Sequence, residues 1–128
     1  MARYLVYTSP ARGRLYPIVP TLEELRLRGH GVVVRTLSSE VVLLRELGFE
    51  AAPTDPAIER REIDDWRAST PIGALQAGLR MFFERARHDG PDLRRAMEKE
   101  RPEVLLVDIN TWGAMAAAET AGMLWATW

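Results

Sequence analysis

Segments typical of β-strands alternate with segments typical of α-helices along most of the chain, and this alternation limits the fold more than any other feature. Three apolar segments of strand length occur in the first part of the chain, at residues 3–8, 32–34 and 49–52. Helical patterns lie between them, at residues 17–28 and 38–47, and Gly48 ends the second helix. Strands that are separated by helices favour a parallel sheet with right-handed crossovers. The sequence therefore predicts an α/β, Rossmann-like fold with a doubly wound parallel sheet.

The alternation is interrupted once and then resumes. Residues 53–71 are charged, contain three prolines and show no sustained period, which predicts a long loop with room for one helical turn. Two helices are expected next, at residues 72–87 and, after a break at Gly90-Pro91, at 92–101. A fourth strand, an alanine-rich helix and the start of a fifth strand follow, at residues 103–108, 112–122 and 123–128. For such a chain we expect the usual strand order 3-2-1-4-5.

The composition excludes several classes of protein. With 128 residues, 47% of them hydrophobic and 27% charged, the chain is sufficient for one globular domain. The net charge of -1, with both signs interspersed, argues against a nucleic acid or an anionic membrane as a partner. The chain has no cysteine and only two histidines, so we expect neither a disulfide nor a metal site. No apolar core typical of a signal peptide precedes the first strand, and we expect a cytoplasmic protein.

The segment with the most chemical information directly follows the first strand. It consists of Ser9-Pro10-Ala11-Arg12-Gly13-Arg14-Leu15-Tyr16-Pro17 and leads into the helix that ends at Arg28-Gly29-His30. This segment resembles the acceptor-side loop of two-domain (GT-B) glycosyltransferases that use nucleotide-sugar donors, and the resemblance is closest to bacterial enzymes that decorate antibiotics and other natural products. Those enzymes carry Gly-His-x-x-Pro, in which the histidine is the general base that deprotonates the acceptor hydroxyl. Here Arg14 stands at the position of that base.

The resemblance implies a domain organisation and a function. It covers the whole chain, but the chain covers only the first part of the family's length, so residues 1–128 are expected to be an N-terminal acceptor-binding domain that stops within its fifth strand. The missing donor-binding domain would hold the nucleotide sugar, which is a co-substrate, and no cofactor is implied. The predicted function is acceptor binding in a glycosyltransferase that moves a sugar to a small natural product, with this chain alone inactive. The alternative is a non-catalytic ligand-binding protein or an auxiliary partner of a glycosyltransferase.

A second site residue follows from the topology of the sheet. In doubly wound sheets, ligands bind beyond the carboxyl ends of the strands, at the point where the strand order reverses. That point lies between the first and the fourth strand, and it places Asp108 beside Arg14. The resemblance implies that Asp108 corresponds to the acid that hydrogen-bonds the catalytic histidine of the family and stabilises its imidazolium. The alternative is that Asp108 caps the helix that follows it, and its position at the crevice favours the catalytic role.

Arg14 cannot act as a general base, because its guanidinium stays protonated in proteins. The loss of a positioned base typically lowers the rate by ~10²–10⁴-fold, and four explanations are open. In the first, Asp108 itself takes the proton while Arg14 holds Asp108 in a bidentate pair. In the second, the acceptor is an acidic phenol or is otherwise easily ionised. In the third, the domain binds without transferring sugar, and in the fourth, mutation or engineering replaced histidine by arginine. Arg14 itself is either paired with Asp108 or a solvated loop cation.

The acceptor-binding residues are expected on both sides of this crevice. The segment after the first strand supplies Ser9, Pro10, Gly13 and Tyr16, and the segment after Asp108 supplies Trp112. An apolar stripe at helical spacing predicts core packing for the first helix after the long loop; it consists of Ile72, Leu75, Leu79, Phe82 and Phe83. The alternative is that this helix lines an apolar acceptor pocket. The candidates for that role are Trp66, Met81 and Phe82.

The remaining patterns indicate structural roles. His30 lies in a connection between a helix and a strand, and His88 lies near a predicted helix C-terminus, where a cation suits the helix dipole. The charged run at residues 59–65 is expected to be a solvated face of the loop. Neither Gly-x-Gly-x-x-Gly nor the nucleotide-kinase pattern occurs in the sequence, so a dinucleotide-binding enzyme is poorly supported despite the fold.

Overall fold

A five-stranded parallel sheet forms the centre of the structure. The computed structural model describes residues 1–61 and 65–128. Within these ranges the strands are β1 (Arg3–Tyr7), β2 (Gly31–Thr36), β3 (Glu50–Pro53), β4 (Val104–Val107) and β5 (Leu124–Thr127). They pair in parallel in the order β3-β2-β1-β4-β5, which confirms the predicted fold class and strand order. In the central strand, Leu5 pairs with Val33 on one side and with Leu105 on the other.

Helices cover both faces of the sheet. They are α1 (Arg12–Leu15), α2 (Val19–Leu27), α3 (Val41–Glu46), α4 (Pro56–Glu59), α5 (Pro71–Glu100) and α6 (Trp112–Thr120), with short 3₁₀ turns at Tyr16–Ile18, Ser38–Glu40 and Asp65–Arg67. Successive side chains of a strand point to opposite faces. Leu5 and Tyr7 therefore belong to the apolar cluster under α5 and α6, whereas Val6 belongs to the cluster under α2 and α3. Burial contributes about 1.5–3 kcal/mol for each such Leu or Val side chain.

The first helical stretch begins earlier than predicted. The loop expected at residues 9–16 already ends at Ala11, and the chain is helical from α1 through the 3₁₀ turn into α2. Pro17 and Pro20 each lie in the first turn of their segment, where the missing N–H leaves no helical hydrogen bond unmade. The prolines thus divide the stretch into short helices without ending it.

The single helix α5 replaces the two helices predicted at residues 72–87 and 92–101. The expected break at Gly90-Pro91 is wrong, because Pro91 lies inside the helix although an interior proline costs ~3 kcal/mol. Packing against α6 offsets this cost. Gly90 is buried, and a Cβ placed on it would lie 3.0 Å from the carbonyl oxygen of Gly113 in α6. His88 consequently lies in the interior of α5 and not near a helix C-terminus.

The predicted core packing of the first half of α5 is also wrong. Phe82 is half-buried, but the other four side chains of its apolar stripe are exposed by 43–70%; they are Ile72, Leu75, Leu79 and Phe83. The reason is the length of α5, about 45 Å for a helix of this size, against strands of 4 to 6 residues. The large apolar contribution of α5 to the core comes instead from its second half, where Leu93 and Ala96 are buried. The hydroxyl of Tyr7, at the carboxyl end of β1, donates to Asp92, so the first half of α5 extends beyond that edge of the sheet.

The long loop at residues 53–71 contains the helical turn that its composition allowed. This turn is α4, and the side chain of Asp55 caps it by accepting a hydrogen bond of 2.8 Å from the N–H of Ala57. The charged run predicted at 59–65 lies partly outside the described residues. In the described ranges, none of the helices is both long and apolar enough to cross a membrane. The same ranges hold no group of three His, Asp or Glu residues arranged to bind a metal ion.

Gly113→Ala tests the close crossing of α5 and α6. An added Cβ would overlap the carbonyl oxygen of Ala86 and lie 2.5 Å from Oδ1 of Asp89. We expect the free energy of unfolding, measured by denaturant titration, to fall by about 1–3 kcal/mol. Gly78→Ala is the matched control, because Gly78 lies in α5 with nothing within 4 Å of an added Cβ; it should be neutral or stabilising. Equal effects of the two substitutions would contradict the close crossing.

Candidate functional site

The predicted site residues meet at the carboxyl ends of the two central strands. Asp108 follows β4 directly and is 0% exposed, and its N–H donates to the carbonyl oxygen of Tyr7 at the end of β1 over 2.9 Å. The segment that leads from β1 into α1 lies against it. The strand order thus brings residues 94 positions apart into contact, as expected at the point where the order reverses.

Four donors surround the carboxylate of Asp108. Oδ2 accepts from the N–H of Ser9 over 2.9 Å and from its hydroxyl over 2.5 Å. Oδ1 accepts from Nε of Arg14 over 3.0 Å and from the N–H of Asn110 over 2.9 Å. An ionised carboxylate offers about four acceptor positions, and each of them is occupied here. Asp108 is therefore stabilised as a buried anion and has no free lone pair that faces an incoming proton.

Arg14 links Asp108 to the last strand. Besides the ion pair of 3.0 Å with Asp108, its Nη2 donates to the main-chain oxygen of Trp128, and the indole Nε1 of Trp128 donates to the carbonyl oxygen of Arg14 over 3.2 Å. The predicted ion pair is confirmed, and the solvated cation is not observed. The bidentate form considered from the sequence is wrong, because only Nε of Arg14 donates to Asp108 and Nη2 donates to the main-chain oxygen of Trp128.

The capping role considered for Asp108 belongs to another acid. The N-cap residue of α6 is Thr111, and the N–H of Ala114 in the first turn donates to Oδ1 of Asp89 over 2.7 Å. Asp89 is 1% exposed, and burial raises its pKa to about 7. No pattern in the sequence pointed to Asp89, since it meets α6 only through the crossing of two helices.

The acceptor-side residues after β1 differ in what they face. Ser9 is 2% exposed and donates to Asp108, whereas an added Cβ on Gly13 would meet nothing within 4 Å.

Tyr16 is 46% exposed, and its hydroxyl donates to Glu40 over 2.7 Å. Glu40 is buried and also pairs with Arg12 over 2.6 Å; the Arg12 guanidinium holds the pKa of this carboxyl below its ordinary value. Sequence reasoning missed Glu40.

Two predicted acceptor-binding residues form an aromatic pair at the first residue of α6, four positions after Asp108. Phe82 of α5 and Trp112 of α6 pack edge to face, with ring centroids 5.7 Å apart. Trp112 is 38% exposed, and Met81 and Pro10 are half-buried. Trp66 is 75% exposed, and the guanidinium of Arg67 lies 4.8 Å from its ring centroid. The described contacts therefore join Phe82 to the start of α6, whereas the aromatic ring of Trp66 contacts only Arg67 among them.

Two other features lie away from this crevice. Nδ1 of His30 accepts the N–H of Ala2 over 3.0 Å, and its ring packs edge-on against Tyr4, which confirms a structural role at the amino edge of the sheet. An apolar cavity of about 250 Å³ opens between α2 and α3. Its lining residues are Tyr16, Val19, Pro20, Leu43, Leu44 and Leu47. Asp108 and Arg14 take no part in this cavity.

Comparison with known proteins agrees with the geometry. No family model matches the chain. The 4'-demethylrebeccamycin synthase of Lentzea aerocolonigenes is 31% identical over 95% of this chain and 31% of its own length, and the elloramycin glycosyltransferase ElmGT of Streptomyces olivaceus is 33% identical over 91% and 34%. The solved structure of the glycosyltransferase SsfS6 from Streptomyces sp. SF2575 superposes with a TM-score of 0.81, at 22% identity, over 99% of this chain and 39% of that one.

Over nearly all of its own length the chain is therefore similar to GT-B glycosyltransferases of natural-product pathways. It spans about a third of the length of the curated relatives that it matches. Arg14 stands where the resemblance places the general base, and the structure joins it to the buried Asp108. The roles of these residues in catalysis and in acceptor binding stay predictions.

The pH dependence of stability tests the buried state of Asp89. Its pKa of about 7 in the folded chain exceeds the ordinary value of about 3.9, so the folded state binds a proton that the unfolded state has lost. The free energy of unfolding should therefore fall by up to about 1.4 kcal/mol per pH unit as the pH rises between about 4 and about 7. Denaturant titrations across this range measure the slope.

Asp89→Asn should flatten that slope. An Asn carbonyl oxygen still accepts from the N–H of Ala114, and the side chain does not ionise. Glu98→Gln, at an exposed position of the same helix, is the control and should leave the slope unchanged. A slope that is the same in the wild type and in Asp89→Asn would show that Asp89 is not the titrating group.

Proposed function

We propose that this chain is the acceptor-binding part of a glycosyltransferase that moves a sugar from a nucleotide-sugar donor to a small natural-product acceptor. The observation that carries the proposal is the Arg14–Asp108 pair at the switch point of the sheet. The relatives named as a glycosyltransferase and a synthase of antibiotic pathways support the reaction class.

The residues around the pair have distinct roles in this proposal. Ser9 and the N–H of Asn110 hold the Asp108 carboxylate in one orientation, and Asp108 in turn holds Arg14 at the crevice. Gly13 leaves open space beside it. The rings of Phe82 and Trp112 supply an apolar edge for the body of the acceptor, in keeping with ligand sites that are mainly apolar with a few polar groups.

The nucleotide-sugar donor enters the proposal as a co-substrate. SsfS6 has been solved in complex with thymidine diphosphate, which supports a nucleotide donor for the reaction. Because the chain resembles the acceptor side of two-domain enzymes, we assign the donor to a further domain of the whole protein. The cytoplasmic location expected from the composition stays a prediction.

The non-catalytic alternative also has one observation in its favour. Arg14 replaces the base of the family, and the carboxylate behind it is fully occupied by donors. A protein that binds ligand without transferring sugar, or that assists a glycosyltransferase, would need no base. Transfer activity therefore separates the two functions.

Asp108→Asn in the whole protein tests the proposed function. The assay measures transfer from thymidine-diphosphate glucose to 4-methylumbelliferone, whose fluorescence changes when its hydroxyl is glycosylated. Asparagine removes the negative charge that orients Arg14, and we expect kcat/KM to fall by ~10²–10³-fold. Asp55→Asn is the control, because Asp55 caps α4 and pairs with Arg95 and not with Arg14, and asparagine is an equally good cap.

Two outcomes would count against transfer by this site. Activity that survives Asp108→Asn unchanged would remove Asp108 from the reaction. A wild-type protein that binds 4-methylumbelliferone without transferring glucose to it or to other phenols would favour the non-catalytic alternative.

A further inference from the structure

We propose that the acceptor of this site reacts through an oxygen that is already an anion near neutral pH, a carboxylate or an acidic phenolate, and not through an alcohol. This inference rests on the proposed function and specifies its substrate class. Three observations carry it. The carboxylate of Asp108 is fully occupied by donors, and Arg14 has an exposed cationic side chain. The neighbouring Arg12 and Tyr16 are both held by Glu40.

The carboxylate of Asp108 is unsuited to take a proton from an acceptor. It is 0% exposed, and both oxygens already accept two hydrogen bonds each. Two of those donors are the backbone N–H groups of Ser9 and Asn110, which cannot turn away without moving the loops after β1 and β4. Taking a proton would also leave the Arg14 cation without its counter-ion.

Arg14 is suited to hold an oxyanion. Its side chain is 30% exposed, with Nε bound to Asp108 and Nη2 to the main-chain oxygen of Trp128. Nη1 carries two further N–H groups, for which the structure shows no partner among residues 1–61 and 65–128. A guanidinium has donors only and no lone pair for a proton. Its hydrogen bonds to an anionic oxygen are charge-assisted and about twice as strong as neutral ones.

The neighbouring groups described at this crevice do not replace the base. Arg12, like Arg14, is a guanidinium without a lone pair for a proton, and it is held by the buried Glu40 over 2.6 Å. The hydroxyl of Tyr16 donates to the same carboxylate, and this hydrogen bond raises the pKa of Tyr16. Tyr16 therefore stays a neutral phenol at neutral pH. What distinguishes Arg14 from Arg12 is its position, because Arg14 lies beside Asp108 at the carboxyl ends of β1 and β4 and its Nη1 faces no partner in the described ranges.

The reaction then needs no proton transfer from the acceptor. A lone pair of the anionic oxygen forms the new bond to the anomeric carbon of the nucleotide sugar, while the bond from that carbon to the diphosphate oxygen breaks. The nucleoside diphosphate leaves with the electron pair, and the negative charge passes from the acceptor to it. A carboxylate yields a glycosyl ester and a phenolate an aryl glycoside. The rings of Phe82 and Trp112 suit an aromatic body for either acceptor.

The test compares acceptors of graded acidity on the whole protein with thymidine-diphosphate glucose as donor. Benzoate, 4-nitrophenol and benzyl alcohol represent the carboxylate, the acidic phenol and the alcohol. We expect kcat/KM for at least one of the two acids to exceed that for benzyl alcohol by ~10²-fold or more, the usual contribution of a general base. For 4-nitrophenol, the rise of kcat/KM with pH should follow the ionisation of the phenol itself.

Arg14 variants separate its charge from its shape. Arg14→His restores a base beside Asp108 and should raise transfer to benzyl alcohol by at least ~10-fold, with a new dependence on an enzyme group of imidazole-like pKa. Efficient transfer to benzyl alcohol by the wild type, equal to that for 4-nitrophenol, would overturn the inference. So would an acceptor ranking that Arg14→His leaves unchanged.

Binding measured without turnover distinguishes this inference from the proposed function. By calorimetry, benzoate should bind the wild type about 10-fold or more tightly than benzyl alcohol; Arg14→Lys should keep part of this preference and Arg14→Gln should lose it. Arg95→Gln, which removes an equal charge from an exposed pair with Asp55, is the control. An Arg14-dependent preference for benzoate without any transfer would overturn the proposed function and leave an anion site in a binding protein. Equal binding of the two probes would overturn the anion site itself.

Discussion

The burial of one carboxylate organises the candidate site. A charge removed from water is costly unless every acceptor position finds a donor. Asp108 meets this condition with donors from three parts of the chain, namely the turn after β1, helix α1 and its own turn after β4. The same four hydrogen bonds that make the buried charge tolerable also hold the segments after β1 and β4 together and fix the direction of Arg14. The shape of the crevice and the electrostatics of the pair therefore have a common origin.

The crossing of α5 and α6 is the second constraint. Gly113 approaches Ala86 so closely that no side chain fits between them, and Asp89 of α5 caps α6 from outside. This contact keeps α5 continuous through Pro91 and carries its first half beyond the sheet, where Phe82 meets Trp112. The aromatic edge of the crevice thus depends on packing between helices that lie on one face of the sheet.

In the proposed acceptor site, a guanidinium at the position of the family's base would change which acceptors react more than it would change the fold around it. Asp108 keeps a cationic partner, so the buried charge remains balanced. The two groups differ in whether they accept a proton: a neutral imidazole has a lone pair that accepts one, whereas a guanidinium has only hydrogen-bond donors. A site that is unable to remove a proton favours acceptors that have already lost one.

The sequence by itself determined the alternation of strands and helices, the parallel order of the sheet and the meeting of Arg14 with Asp108, because hydrophobic period and strand topology suffice for these. The continuity of α5 through Pro91, the exposure of Ile72 and Leu75, and the cap from Asp89 were decided only by the tertiary structure. Local sequence patterns predict that a proline ends a helix and that an apolar stripe is buried. They do not show that a helix is longer than the sheet it covers. That depends on contacts between helices distant in sequence, which form only when the chain folds.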